Sequence, residues 1–131
     1  MPKSVLLDTN AVIHFVQALD IAKFNIVAQT LNSNQCHIPA EVIAETVYIL
    51  DGTFQNTRQA IAAKLKDLIA IQDSLVSETN AIIFGLNLYA SSKLDFVDCL
   101  IAGYSKVNKN PVLTFDSDLK KQLAEQAYIP E

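Results

Sequence analysis

Short apolar runs that alternate with longer helix-patterned stretches leave this chain few architectures. Residues 4–7, ending in Val5-Leu6-Leu7, form one such run, and Cys36-His37-Ile38, halted by Pro39, forms another. Residues 74–76 and 111–114 supply two more. Each run is too short for a helix, so each reads as a buried strand. Between them, helices are predicted over 11–17, 20–31, 40–50, 78–91, 95–107 and 116–126, with Asp20 as one N-cap and Pro39 suited to a first turn. A further helix follows Thr57, where Ile61, Leu65, Leu68 and Ile69 make an apolar stripe. Tyr128 and Ile129 add a small edge strand. Strands alternating with helices predict an α/β fold with a mostly parallel, short-stranded sheet. In such sheets ligands bind beyond the carboxyl ends of the strands, which decides where to look for chemistry.

The chain has 131 residues, the length of one ordinary domain, and is expected to form a single domain over 1–131. Half of it is apolar and only three residues are Gly, a composition that supports a packed core without disulfide staples. Cys36 and Cys99 make no CxxC pair and read as buried thiols in a reducing cytoplasm. The run after Lys3 is cut at Asp8, too early for a secretory signal, and no window approaches a membrane span. A soluble, cytoplasmic protein that engages no membrane is expected. Fourteen acidic residues against ten basic ones give a net charge of −4, which argues against a protein that coats nucleic acid by bulk electrostatics. An acidic metal site would itself contribute to that balance.

Four carboxylates stand out. Asp8 and Asp116 each follow an apolar run, so parallel strands would deliver both to one sheet edge. Asp98 lies among Phe96, Val97, Leu100 and Ile101, and Glu45 lies between Ile43 and Val47. Each has an ordinary reading by itself: Asp8 and Asp116 as turn formers or helix caps, Glu45 as a solvated helix residue, Asp98 as a cap or a partner of Lys106. As a cluster they would need compensation. Two like charges ~4 Å apart repel by about 4 kcal/mol at an effective dielectric near 20. A hard, oxygen-binding cation such as Mg²⁺ or Mn²⁺ is the natural occupant.

Leu7-Asp8-Thr9-Asn10, the segment from Pro39 to Glu45, the segment from Asp95 to Ala102, and the segment from Leu113 to Asp118 occur in the order and at the spacing of the four signature segments of PIN-domain nucleases. The resemblance spans essentially the whole chain, and its small form is similar to VapC-type toxins of bacterial toxin–antitoxin pairs. It implies a PIN-like three-layer α/β/α sandwich and a Mg²⁺- or Mn²⁺-dependent endoribonuclease. Carried over by position, the catalytic acids are Asp8, Glu45, Asp98 and Asp116, with Asp8, Asp98 and Asp116 as metal ligands. Asn10 and Thr114 match the small polar positions, and Asp95 and Asp118 are supporting acids. Glu41, one turn before Glu45, is the alternative for the second position.

The implied chemistry is phosphodiester hydrolysis by metal-activated water, which needs no His or Lys base. His37 accordingly reads as strand packing and His14 as a helix-face residue. An aspartyl phosphatase would want a second Asp where Asn10 stands, and a receiver domain would want adjacent acids after the first strand. A catalytically inactive PIN-like scaffold is the remaining alternative. The expected partners are substrate RNA, a protein antitoxin whose tail folds onto the enzyme, and a second copy of the chain. The last expectation rests on the apolar content of the helices over 61–71 and 82–89 and on the pairing that the resemblance to VapC-type toxins implies.

Overall fold

Two parallel strands, β1 (Ser4–Leu6) and β2 (Gln35–His37), make the sheet of the computed structural model, which describes residues 4–130. Ser4, Val5 and Leu6 stand opposite Gln35, Cys36 and His37, and the Leu7 N–H donates to the His37 carbonyl at 3.0 Å to extend the ladder by one bond. Parallel neighbours need a crossover, and α1 (Thr9–Gln17) with α2 (Ile21–Ser33) provides it. The described residues fall into two compact units, one up to Thr79 and one from Asn80 onward. Lys3, counted above among the basic residues, lies outside the described residues.

The first unit continues through α3 (Ala40–Gly52) and α4 (Arg58–Ile69). Its apolar stripes follow the predicted periodicity: Val12, Leu31, Cys36, Ile38, Ile43, Val47, Leu50, Ile61, Leu65, Leu68 and Ile69 are all buried. Side-chain caps set the helix starts. Asp20 accepts from the Lys23 N–H at 3.1 Å and Thr57 from the Ala60 N–H at 3.1 Å, each satisfying a donor the helix itself cannot pair. Gln72 acts as a clamp. Its amide nitrogen donates to the Leu31 and Asn34 carbonyls, both at 2.6 Å, and its oxygen accepts from the Cys36 N–H at 2.8 Å.

The strand predicted at 74–76 is a turn instead. Ser74 and Glu78 both adopt positive φ, 61° and 51°, which breaks extended pairing. Its apolar residues are still core: Leu75 and Val76 are buried, and the Leu75 carbonyl takes the Ile38 N–H at 2.8 Å.

The second unit holds α5 (Thr79–Ser91), α6 (Phe96–Asn108), α7 (Ser117–Leu123) and a closing 3-10 turn, Ala124–Gln126. Ile82, Leu86, Tyr89, Phe96, Cys99 and Leu100 are buried, and the Tyr89 and Phe96 rings meet edge to face at 5.7 Å. The strand predicted at 111–114 is reduced to one parallel bridge between Val112 and Ala127. Val112 donates to the Gln126 carbonyl at 2.8 Å and accepts from the Tyr128 N–H at 2.7 Å. Pairing stops there because Thr114 and Asp116 turn the chain into α7. The edge strand expected at Tyr128 and Ile129 is likewise confined to this bridge. The fold class is α/β, mostly helical, with a small parallel sheet. Among the described residues no single helix is long and apolar enough to cross a membrane, and α1 and α2 together reach that length only across a 109° bend.

Candidate active site

The Asp8–Asn10 segment sits where β1 gives way to α1. Asp8 adopts extended backbone and its carboxylate accepts from the Ala11 N–H at 2.9 Å, capping α1. Capping and ligand binding are compatible here, because the cap bond occupies one oxygen and Asp8 is exposed. Thr9, the first residue of α1, donates its hydroxyl to the Glu45 carboxylate on α3. That bond ties the turn after β1 to the middle of α3, 36 residues away. Glu45 is exposed, contrary to the sheltered position its apolar neighbours suggested, because Ile43 and Val47 turn inward while Glu45 turns out. Glu41 is also exposed, and the Thr9 bond distinguishes Glu45 from it.

In the second unit, Asp95 caps α6 by accepting from the Val97 N–H at 3.3 Å. Asp98 lies one turn on, so the two carboxylates share a side of the helix. Phe96, Cys99 and Leu100 point inward, Val97 is exposed, and Asp98 is half-buried at the margin. Burial pushes the Asp98 carboxyl above the ordinary carboxylate range, and the charges of Asp95 and Asp116 push it further in the same direction. Asp116 caps α7 by accepting from the Leu119 N–H at 2.8 Å, while its own N–H donates to the Thr114 hydroxyl at 3.1 Å. Its position comes from this cap and not from a strand end, which corrects the sheet-edge argument for Asp116. Asp118 is exposed in the first turn of α7, and Asn10 is exposed on α1.

Reading the residues in sequence missed Thr9. A Thr between an Asp and an Asn is an ordinary turn residue, and only the long-range pairing with Glu45 reveals its part. No signal within either segment encodes that pairing. His14 and His37 are half-buried in α1 and β2, where their backbone carbonyls take the Ala18 and Leu7 N–H groups.

Among the described residues no three His, Cys, Asp or Glu side chains are gathered to hold one ion. The donor chemistry still fits a hard cation, because the available groups are carboxylate oxygens and Asp98 is disfavoured as an anion by burial and by its like-charged neighbours. A positive charge beside it would relieve both causes.

No curated protein and no solved structure matches the chain. A family model described as the PIN domain matches residues 5–123.

Proposed function

We propose that the chain, which belongs to the PIN-domain family, is a Mg²⁺- or Mn²⁺-dependent endoribonuclease. PIN domains are generally nucleases and typically use divalent metal ions, so the coarse reading is a hydrolase acting on nucleic acid. The observation that supports the metal part of the finer reading is Asp98, while cleavage of RNA rests on the resemblance. A half-buried carboxylate facing the fields of Asp95 and Asp116 is poorly served by its own protein and well served by a cation.

On the resemblance to PIN-domain nucleases, and not on any three-ligand cluster among the described residues, the proposal assigns metal contact to Asp8, Asp98 and Asp116. A bound divalent ion would supply Lewis acidity, lowering the pKa of water and offsetting charge that builds on the scissile phosphate. Glu45 orients and deprotonates the attacking water, and Thr9 fixes its rotamer by donating to one carboxylate oxygen. Thr114 holds the backbone of Asp116 and Asp95 holds the start of α6, while the supporting roles of Asn10 and Asp118 rest on the resemblance.

The role as a toxin held by a protein antitoxin is part of the same proposal and rests on the resemblance to VapC-type toxins, as does pairing into a homodimer. The apolar residues first offered for that pairing, among them Ile61, Leu65, Ile82 and Leu86, are buried within the chain. The dimer therefore rests on the resemblance alone.

A covalently closed single-stranded RNA circle tests the activity. It should be opened and fragmented in Mg²⁺ or Mn²⁺ and stay intact in EDTA. A circle that survives while linear RNA is degraded would make the enzyme an exonuclease, and cleavage unchanged by EDTA would remove the metal.

A further inference from the structure

Phe115 is the most exposed large apolar side chain among the described residues, at 91 %. Single exposed apolar residues are common and prove nothing alone. Phe115, however, is held on a fixed support. On one side Val112 is tied by two backbone bonds to Gln126 and Tyr128, and on the other Thr114 and Asp116 lock the turn into α7. In this extended stretch Val112 and Thr114 are half-buried while Leu113 and Phe115 are exposed, so the alternation sends the ring outward. Phe115 also directly precedes Asp116, whose charge reaches Asp98.

A groove of about 400 Å³ runs beside α7, lined by Ser92, Lys93, Leu94, Asp118, Lys121 and Gln122. Asp118, Lys121 and Gln122 share one face of the helix, three and four residues apart. Lys121 stands about 7.5 Å along the helix axis from Asp116, at about 1.5 Å per residue. Neither Lys93 nor Lys121 forms an ion pair among the described residues. An aromatic face, two ammonium groups against the single carboxylate of Asp118, and the hydroxyl and amide donors of Ser92 and Gln122 suit one class of ligand: a strand with exposed bases and a charged backbone. A protein partner would be better served by a continuous apolar surface than by this cationic, polar-lined groove.

We propose that Phe115 stacks on an unpaired base of the RNA substrate beside the cleaved phosphate, while Lys93 and Lys121 hold a neighbouring phosphate of the same strand. The proposal rests on the nuclease reading, since the ligand is that enzyme's substrate, and it selects single-stranded over paired RNA because a base must leave its stack to reach the ring.

Binding of a labelled, mixed-sequence single-stranded RNA to the full chain, followed by fluorescence anisotropy in EDTA, reads the contact without hydrolysis. Phe115→Ala should weaken binding about tenfold and Phe115→Trp should preserve it. On an oligonucleotide without bases, wild type and Phe115→Ala should bind alike. The double variant Lys93→Ala/Lys121→Ala should flatten the dependence of log K on log salt by about 0.7, the value for one phosphate contact on a single strand. The proposal is overturned if Phe115→Ala binds mixed-sequence RNA as tightly as wild type, or loses as much on the base-free strand. It is overturned equally if the substitution alters only sedimentation, which would make Phe115 a protein contact. Phe115-dependent binding by a chain that never hydrolyses RNA would support the stacking contact and refute the nuclease.

Discussion

Asp98 is disfavoured as an anion twice over, by partial burial and by the charges of Asp95 and Asp116. Both raise its pKa in the folded state above that of the unfolded chain. The fold therefore binds the Asp98 proton more tightly, and the associated stability is fully present below the ordinary Asp pKa and lost as pH rises through the raised one. Asp98→Asn removes this titration. In EDTA the variant should melt with wild type near pH 3 and above it near pH 7, with the gap opening just above the ordinary carboxylate range. Thermal unfolding across that interval checks the sign, and a gap that is constant or widens toward acid would contradict it. Cys36 shows the same physics in a residue with no part in the chemistry. Burial pushes its thiol up against a smaller opposing effect of the Gln72 hydrogen bond, as suits a packing residue.

At the level of elements, Gly103 decides how closely α5 and α6 pack within the second unit. A Cβ there would lie 2.2 Å from the Ala81 carbonyl oxygen and 3.1 Å from its carbon, both backbone atoms that cannot rotate away. Gly→Ala inside a helix ordinarily stabilises by about 1 kcal/mol through propensity. Overpacking of a formed interface costs about 1–3 kcal/mol, and a backbone clash belongs at the upper end. Gly103→Ala should therefore lower stability by about 1–2 kcal/mol, read as a lower urea midpoint at unchanged slope. A variant at least as stable as wild type would show that the helices part without cost.

The helices were legible in the sequence because local rules place them. Asp20 and Thr57 cap where expected, and the stripe of Ile61, Leu65, Leu68 and Ile69 is core. The strands at 74–76 and 111–114 were not, because apolar content reports burial and not pairing. Leu75 is buried without a ladder, and Leu113 is exposed despite its β-like setting. For the acids, sequence order named the candidates. The caps at Asp8 and Asp116 and the outward turn of Glu45 follow the ordinary local reading of each residue, whereas the bond from Thr9 to Glu45 depends on tertiary geometry that no single segment encodes.

For the whole molecule, a net charge of −4 means that the proposed RNA substrate would have to be drawn in by local features such as Lys93 and Lys121 and by the proposed cation at the acids, not by the overall field. The central claim is that the carboxylates constitute the active site. Its most direct test is the rate of RNA hydrolysis by Asp98→Asn beside wild type in Mn²⁺, on samples shown by circular dichroism to be folded. The account predicts that cleavage falls to background while the variant melts at or above the wild-type temperature at neutral pH. Cleavage by the folded variant at the wild-type rate would contradict it.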